Sequence, residues 1–313
     1  MLISIITPCF NEEKNINLYS KAIEEINQWV RKTKNELEVL IIDDCSLDNS
    51  WKEIKKLSKQ KKYIKIYKNK INRGVYRTTY SLFKKVNGDI VVPMFPMDLQ
   101  DPPSVLIEIL KVKFKKNCAA VMGLKTKREE SALLEFSRNL FYRILEKTSN
   151  EKILKNVGEF GAVDRWIIDE MANRNDYYPF MRSMIQKLTS DIHLVEYTWK
   201  HRVEGKSNYS FWSYYDHAMN AIVSNGGNIF RGILALGFVF SFLSLTFAMI
   251  NLILYFLNFN ETISGIPTIV ILTSLINGFV MIMLGFMGEL LISINNQVRN
   301  TYLHETIEED NNL

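Results

Sequence analysis

The first ninety residues alternate between short apolar runs and longer amphipathic runs, and this alternation leaves few folds open to the chain. Strands are predicted at residues 2–8, 37–43, 64–68 and 90–94, and helices at residues 13–33, 48–60 and 75–86. This order of elements is typical of a parallel sheet with helices on both faces. A further helix is predicted at 104–117, a strand at 119–125 and an amphipathic helix at 131–147. The sequence therefore predicts an α/β domain.

Polar loops follow the four predicted strands, at residues 8–12, 43–48, 72–74 and 98–101. Open α/β sheets bind ligands beyond the carboxyl ends of their strands. Four such loops on successive strands indicate a binding site more strongly than any one of them does.

Two long apolar runs occupy the C-terminal third, at residues 233–257 and 266–294. Each run exceeds the roughly 20 apolar residues that cross a bilayer core, so the sequence predicts two transmembrane helices within residues 232–295. The alternative is a buried hairpin in a soluble protein. Residues 205–231 are rich in aromatic side chains and are predicted to lie at the membrane interface, although ordinary aromatic packing would use the same residue types.

The charges around the apolar runs predict their orientation. The connector at 258–265 has no Lys or Arg, whereas Lys200, Arg202, Lys206 and Arg231 precede the first run. By the positive-inside rule both termini are then cytoplasmic, which makes residues 1–204 a cytoplasmic domain and residues 296–313 a cytoplasmic tail. The N-terminus lacks the features of a signal peptide. The acidic end of the tail is predicted to be disordered.

Lysines are concentrated at residues 51–70, and the formal net charge of the chain is +5. A nucleic-acid surface is one interpretation of such a segment, but a solvated or membrane-facing basic surface is favoured, so no nucleic-acid partner is predicted. The three cysteines Cys9, Cys45 and Cys118 lie far apart without a CxxC pair. Their spacing argues against a zinc site or a disulfide framework and fits a reducing compartment.

Across nearly its whole length the chain resembles membrane-anchored family 2 glycosyltransferases that load a sugar onto a polyprenyl phosphate. The bactoprenol glucosyltransferases and dolichol-phosphate mannose synthases are of this type. The resemblance depends on the order and spacing of eight segments: TPCFNEEKNI (7–16), IIDDCSLDNS (41–50), NRG (72–74), DLQDPP (98–103), GLKTKREES (123–131), SRNLFYRIL (137–145), HRVEGKSNY (201–209) and GFMGELL (285–291). It implies a GT-A-type domain with a C-terminal two-helix transmembrane hairpin, and a homo-oligomer.

The resemblance also implies a nucleotide pocket at the first three loops. Its residues would be Pro8, Asn11, Glu12, Asp43, Asp44, Asn72 and Gly74. Asp43 or Asp44 would accept hydrogen bonds from a ribose or a base. The alternative use of Asp44, Ser46 and Asp48 is to cap the following helix, and we predict that Ser46 or Asp48 does so.

The DLQD turn is the candidate site for Mg²⁺ or Mn²⁺. In extended backbone, residues i and i+2 point the same way, so Asp98 and Gln100 can offer oxygens to one cation. The related enzymes usually carry Asp-x-Asp-x-Gln here, but this chain has Pro96 in the first position. Because Mg²⁺ binds through one or two carboxylates together with substrate phosphates, Asp98 alone is chemically sufficient. The alternatives are a plain surface turn and, for Asp101, an N-cap of the next helix.

Cationic side chains are predicted to hold the acceptor phosphate and the diphosphate. The predicted catalytic residues are Asp98, Asp101, Lys125, Arg128, Ser137, Arg202 and Lys206. An anionic phosphate acceptor needs no deprotonation, so no general base is assigned. Lys125 stands where the related enzymes commonly have Arg, which keeps the charge and gives up bidentate geometry. Lys127 and Arg128 have solvated charges as their alternative role.

A second departure lies in the segment GEFGAVDRW. The related enzymes often have Asp-Phe-Arg-Leu here, whereas this chain has Glu159, Phe160, Gly161 and Ala162, so the Arg is missing. The predicted activity is inverting, metal-assisted sugar transfer from a nucleotide sugar to a polyprenyl phosphate at the cytoplasmic membrane face. The alternatives are a catalytically impaired, membrane-anchored subunit that binds nucleotide or lipid, and a transferase that extends a lipid-linked saccharide.

Overall fold

The computed structural model describes residues 1–127, 156–174 and 179–199, together with 143, 154 and 176. In the C-terminal third it describes scattered helical positions between 242 and 294 and the strand at 307–309. Two compact units are present, one formed by residues 1–142, 153–216 and 300–313 and the other by residues 143–152 and 217–299. The predicted helix at 131–147 and most of the two apolar runs lie outside the described residues.

The predicted alternation of strands and helices at the N-terminus is confirmed. The strands are β1 (Leu2–Cys9), β2 (Glu36–Asp43), β3 (Ile64–Asn69) and β4 (Ile90–Val92). The helices between them are α1 (Ile16–Lys32), α2 (Ser50–Gln60) and α3 (Val75–Ser81), the last followed by a 3-10 turn at Phe83–Lys85. The remaining elements of the first unit are α4 (Pro103–Lys116), β5 (Ala120–Lys127), β6 (Val157–Asp164), α5 (Arg165–Arg174), α6 (Met181–Leu188), β7 (Ile192–Thr198) and β8 (Ile307–Glu309).

The strands form one mixed sheet in the order β7-β5-β6-β4-β1-β2-β3-β8. Strands β4, β1, β2 and β3 are parallel, and β5 is parallel to β7. Strand β6 runs antiparallel to both β4 and β5, so its first residues lie at the edge where those strands end. The carboxyl ends of six strands and the start of β6 therefore share one edge of the sheet.

Two hydrophobic clusters cover the two faces of this sheet. Residues of α1, α2 and α4 pack on one face, and residues of α3, α5 and α6 pack on the other. The strands β1 and β2 are buried on both faces, which explains their nearly continuous apolar sequence. Helix α4 begins at Pro103, with Pro102 at the N-cap position. Its C-cap residue is Asn117, in the left-handed conformation that asparagine tolerates well.

The prediction of a disordered acidic tail is wrong for three residues. The backbone of Ile307–Glu309 forms β8, antiparallel to Tyr67–Asn69 of β3. Without β8, the strand β3 would be an edge strand with open backbone N–H and C=O groups, and such an edge is a template for pairing with another strand.

The described positions between residues 269 and 294 are helical, and several of their apolar side chains are exposed, among them Leu284, Met287 and Leu291. Among the residues that the structure describes, no helix has the length and apolarity needed to cross a membrane.

Candidate functional site

The loops after β1 and β2 are bonded to each other. The Asn11 N–H donates to Ser46 Oγ at 2.9 Å, and the Leu47 N–H donates to Asn11 Oδ1 at 2.8 Å. Asn11 has a φ of 56°, a left-handed conformation that asparagine tolerates. The Glu12 N–H donates to Ser50 Oγ at 2.8 Å, and the Glu12 side chain is buried. The two predicted loops therefore form one wall of the sheet edge.

Asp48 accepts the N–H of Ser50, the first residue of α2, at 2.9 Å. It also accepts the N–H of Glu13 at 3.2 Å. The Asp48 side chain thus accepts a backbone N–H at the start of α2, whereas Ser46 Oγ accepts the Asn11 N–H of the loop after β1. The N-cap position itself is Asn49, without a side-chain cap, so neither Ser46 nor Asp48 is the N-cap of α2.

Asp43, at the end of β2, is fully buried and carries an acceptor without a partner. Its Oδ2 accepts the Ser46 N–H at 3.2 Å, while its Oδ1 has no hydrogen-bond partner among the described residues. Burial raises the pKa of the Asp43 carboxyl, although hydrogen bonds from Ser46 oppose this change. Because a buried acceptor without a partner costs free energy, this oxygen is expected to meet a donor from a ligand.

Asp44 uses both carboxylate oxygens to hold the loop after β3. Its Oδ1 accepts from Asn69 Nδ2 at 2.8 Å and from the Arg73 N–H at 2.9 Å, and its Oδ2 accepts from the Gly74 N–H at 2.9 Å. Gly74 has a φ of 80°, which favours glycine. The two adjacent aspartates therefore differ: Asp44 shapes the 72–74 loop, and Asp43 presents an open oxygen.

The DLQD turn follows β4, which ends at Val92. The prediction of extended backbone here is wrong, because Leu99 has a φ of 52° and the Gln100 N–H donates to Asp98 Oδ1 at 3.2 Å. This side-chain-to-backbone bond is the Asx-turn that aspartate favours in tight turns. Asp98 is buried and Pro96 is partly exposed.

Asp98 and Gln100 carry side-chain oxygens of the kind that coordinate Mg²⁺ or Mn²⁺. Across residues 1–127, 156–174, 179–199 and the other described positions, no three His, Cys, Asp or Glu side chains form a metal-binding cluster.

Asp101 is not the N-cap of α4, whose start has no side-chain cap. Its Oδ1 accepts the Tyr197 hydroxyl hydrogen bond and lies 3.6 Å from Lys125 Nζ. Burial raises the pKa of the Asp101 carboxyl, and the charge of Lys125 and the hydrogen bond from Tyr197 act in the opposite direction. Asp101 therefore links the turn after β4 to strands β5 and β7.

A second carboxylate near this turn comes from β6. Glu159 Oε1 accepts from Arg182 Nε of α6 at 3.1 Å, and both side chains are largely buried. The negative charges of Asp98 and Glu159 both contribute to raising the pKa of Asp101, after the larger effect of burial. Lys125 and Arg182 bring positive charge to the same region.

The structure brings most of the predicted site residues to one edge of the sheet. Pro8, near the end of β1, pairs in register with Ile42, and the exposed Asn72 and Gly74 form the loop that Asp44 holds. The predicted residues Arg128, Ser137, Arg202 and Lys206 lie outside the described residues.

Four residues of this region were not predicted: Asn69, Glu159, Arg182 and Tyr197. Glu159 and Tyr197 lie on strands that the sequence analysis did not assign. In the segment IHLVEYT of β7, burial alternates from Leu194 to Thr198, but the apolar Leu194 is exposed and adjoins the buried Val195. These adjacent apolar residues interrupt the period-two pattern of the sequence and weaken the strand signal.

The matching family model is that of glycosyl transferase family 2, and it covers residues 4–173. The chain belongs to glycosyl transferase family 2. The predicted glycosyltransferase activity and the GT-A-like α/β fold are confirmed by this membership together with the mixed sheet.

Three curated relatives of this family 2 enzyme align over nearly all of it. An uncharacterized glycosyltransferase, YkcC of Bacillus subtilis, is 26% identical over 96% of this chain and 92% of its own length. A prophage bactoprenol glucosyl transferase homolog of Escherichia coli is 24% identical over 92% and 93%. A prophage-derived bactoprenol glucosyl transferase of Shigella flexneri is 25% identical over 96% and 96%. The relatives match the predicted type of family 2 glycosyltransferase.

Proposed function

We propose that this enzyme transfers one sugar from a nucleoside diphosphate sugar to the phosphate of a polyprenyl phosphate. The observation that carries the proposal is the buried Oδ1 of Asp43, which has no hydrogen-bond partner in the described part of the chain and lies on the sheet edge that also holds Asp98 and Lys125. A nucleoside offers N–H and O–H donors, whereas a diphosphate and a lipid phosphate need cations. The names of the Escherichia coli and Shigella flexneri relatives support the lipid acceptor.

On the donor side, the chain would bind the nucleoside between the loops after β1, β2 and β3. The Asp43 oxygen would accept an N–H of the base or an O–H of the ribose, while Asp44 keeps the 72–74 loop in place. A site with a buried acceptor favours a ligand that supplies the matching donor, because the acceptor is otherwise left unpaired.

The reaction forms a bond between an acceptor phosphate oxygen and the anomeric carbon, and it breaks the bond between that carbon and the diphosphate. The attack comes from the opposite side, so the configuration inverts. The acceptor is already anionic near neutral pH, so the chain's task is to hold two anions close together. Lys125 would contact the acceptor phosphate, together with Arg128, Ser137, Arg202 and Lys206 as the sequence predicts.

Asp98 and Gln100 would hold the Mg²⁺ or Mn²⁺ that neutralises the leaving diphosphate. Asp101 contacts Tyr197 and Lys125, whereas the carboxylate of Asp98 lies at the DLQD turn beside Gln100, whose N–H it accepts.

A direct test incubates the detergent-purified full chain with undecaprenyl phosphate, Mg²⁺ and a panel of nucleotide sugars, and it reads the lipid products by mass spectrometry. One sugar on a lipid monophosphate is the expected product. The proposal fails if no donor gives a glycolipid and calorimetry detects no nucleotide binding. Nucleotide binding without turnover would indicate a binding subunit, and an extended saccharide would indicate the chain-extending transferase.

The same proposal includes a membrane anchor at residues 232–295, with both termini in the cytoplasm. It is supported by the length of the two apolar runs and by the lack of Lys and Arg in the connector at 258–265. Reporter fusions in the connector and at the C-terminus test it. A connector reporter active only outside the cytoplasm is expected, and a cytoplasmic connector would contradict the hairpin.

A further inference from the structure

We infer that Tyr197 is a positioning residue for Lys125, and that it acts through the carboxylate of Asp101. This inference rests on the proposed function, in which Lys125 contacts a phosphate of the substrate. It assigns a role to a tyrosine that belongs to none of the motifs behind the family resemblance.

The three side chains meet because of the sheet register. Lys125 of β5 and Tyr197 of β7 are direct partners in the parallel pair, so their side chains leave the sheet side by side. Asp101 follows the turn after β4 and receives both groups on one oxygen: its Oδ1 accepts the Tyr197 hydroxyl hydrogen bond and lies 3.6 Å from Lys125 Nζ. The ammonium also lies 4.8 Å from the centre of the Trp199 ring, within the range of a cation–π contact.

Packing fixes the Tyr197 ring independently of its hydroxyl. The ring meets Phe160 edge-on, with centroids 5.6 Å apart, and Phe160 stacks on Phe95 at 6.0 Å. Gly123 leaves the space that the ring needs, because a Cβ there would lie 2.7 Å from Tyr197 Cε1. Because packing holds the ring in place, the Tyr197 hydroxyl donates to Asp101 from a fixed position. The hydrogen bond in turn holds the carboxylate oxygen that Lys125 approaches.

This arrangement compensates for a lysine at a position where related enzymes commonly have arginine. The lysine ammonium is a point charge on a flexible stem, and holding it in one place costs rotamer entropy. A contact with a fixed carboxylate and a fixed indole lowers that cost before the substrate binds. An ammonium has three N–H donors, so contact with Asp101 leaves capacity for a phosphate oxygen.

The chain contains a matched control for this arrangement. At the start of β3, Tyr63 donates to Glu24 Oε2 at 3.0 Å, and Lys61 pairs with the same oxygen. This second set of tyrosine, carboxylate and lysine lies at the amino ends of the strands, away from the site. Tyr63→Phe therefore removes the same kind of hydrogen bond without affecting Lys125.

The experiment compares Tyr197→Phe and Tyr63→Phe in the full chain. Trace acetylation with an amine reagent, read by mass spectrometry at each lysine, measures how firmly Lys125 is held. Kinetics with undecaprenyl phosphate give KM and kcat for acceptor and donor, and thermal unfolding gives the Tm. In Tyr197→Phe we expect several-fold faster labelling of Lys125 and about a tenfold loss of kcat/KM for the acceptor. Donor KM and Tm should change little.

Tyr63→Phe is expected to speed labelling of Lys61 and to leave Lys125 and the acceptor kinetics unchanged. Unchanged Lys125 labelling in Tyr197→Phe would overturn the inference, as would faster labelling with unchanged acceptor kinetics. A fall in activity explained by a lower Tm would indicate a structural role alone and would also overturn it. If no glycolipid forms with any donor, the proposed function fails, while the labelling comparison still decides whether Tyr197 holds Lys125.

Discussion

The carboxylate of Asp44 accepts the backbone N–H of Gly74 at 2.9 Å, across 30 residues of chain. This bond and those from Arg73 and Asn69 turn Asp44 into the support of the loop that follows β3. The adjacent Asp43 differs, because its buried Oδ1 has no hydrogen-bond partner among the described residues. Of these two neighbouring aspartates, Asp44 therefore holds a loop in place, and Asp43 is the one proposed to bind the ligand.

Asp44→Ala should destabilise the protein by about 2 to 3 kcal/mol, because it removes three hydrogen bonds from buried or partly buried donors, of which the Gly74 N–H keeps a longer bond to Asn72 Oδ1. Denaturant unfolding of the purified chain measures this change. Asp48→Ala, in the same segment but exposed, should cost only about 1 kcal/mol, since it removes the acceptor at the start of a helix. Equal losses in the two variants would contradict the role assigned to Asp44.

In contrast to Asp44→Ala, the variant Asp43→Asn should keep its stability and lose nucleotide affinity. The folded protein holds the Asp43 pKa above its ordinary value, so ionisation of this group opposes folding as the pH rises through that range. An amide has no such cost, and the Tm at neutral pH should stay the same or increase. Nucleotide affinity should fall by about tenfold or more, because a hydrogen bond to a charged acceptor is lost. Titration calorimetry with UDP and GDP checks this, and unchanged affinity for both would refute a nucleotide role for Asp43.

The difference between these two aspartates shows what the sequence can and cannot reveal. The strands β1 to β4 were predictable because each is a short apolar run that ends in a polar loop. The hydrogen-bond partners of Asp44 could not be predicted, since its carboxylate accepts from backbone groups 29 and 30 residues away. The same reason explains why Tyr197 and Glu159 escaped prediction: their strands join the sheet through non-local pairing, and β6 runs against its neighbours.

The position of the DLQD turn after β4 was predicted, but its backbone conformation was not. A strand pattern gave no reason to expect the left-handed Leu99, which depends on the bond between the Asp98 side chain and the Gln100 N–H. Aspartate competes for backbone donors in this way wherever a chain leaves a strand.

With Asp98 as the one carboxylate proposed to hold the metal, metal affinity should be low until the donor diphosphate is present. Pro96→Asp adds the second carboxylate and is accommodated because position 96 is partly exposed. It should raise the affinity for Mn²⁺ without nucleotide by roughly an order of magnitude, since affinity follows the charge of the ligands. Titration of Mn²⁺ with paramagnetic resonance detection, with and without UDP, measures this. Tight binding by the unaltered chain in the absence of nucleotide would contradict the prediction.

Glu38 should make the stability of the domain depend on acid pH. Burial opposes ionisation of this carboxyl, but hydrogen bonds from Ser4, from the Asn87 N–H at 2.6 Å and from Lys65 at 3.0 Å outweigh it and lower its pKa. A lowered folded-state pKa gives stability that is present above the ordinary value of 4.5 and is lost as the pH falls through the folded-state value.

Glu38→Gln should therefore cost about 2 kcal/mol at neutral pH and flatten the loss of stability below pH 4.5. Urea unfolding between pH 3 and pH 7, at roughly even pH steps, measures both effects. Glu53→Gln is the control, since Glu53 forms a mainly exposed pair with Lys56, and such pairs contribute about 0 to 1 kcal/mol. A Glu38→Gln curve parallel to that of the unaltered protein would show that another group causes the acid sensitivity.

Two glycines of β6, Gly161 and Gly158, differ in how much space a side chain would have. A Cβ at Gly161 would lie 2.6 Å from the Val121 carbonyl oxygen and 2.6 Å from Met122 Sδ. One at Gly158 would make contacts of ordinary length, 3.5 Å from Lys125 Cε and 3.9 Å from the Phe160 backbone nitrogen. The backbone oxygen cannot move without shifting β5, so Gly161→Ala should destabilise the domain by about 1 to 3 kcal/mol. Gly158→Ala should leave stability nearly unchanged. Thermal unfolding of the two variants side by side measures the contrast. The same crowding predicts that Gly161→Arg, which introduces the arginine that the family resemblance implies at this position, lowers stability further instead of improving activity. A stable and more active Gly161→Arg enzyme would show that β5 and β6 can separate at this point.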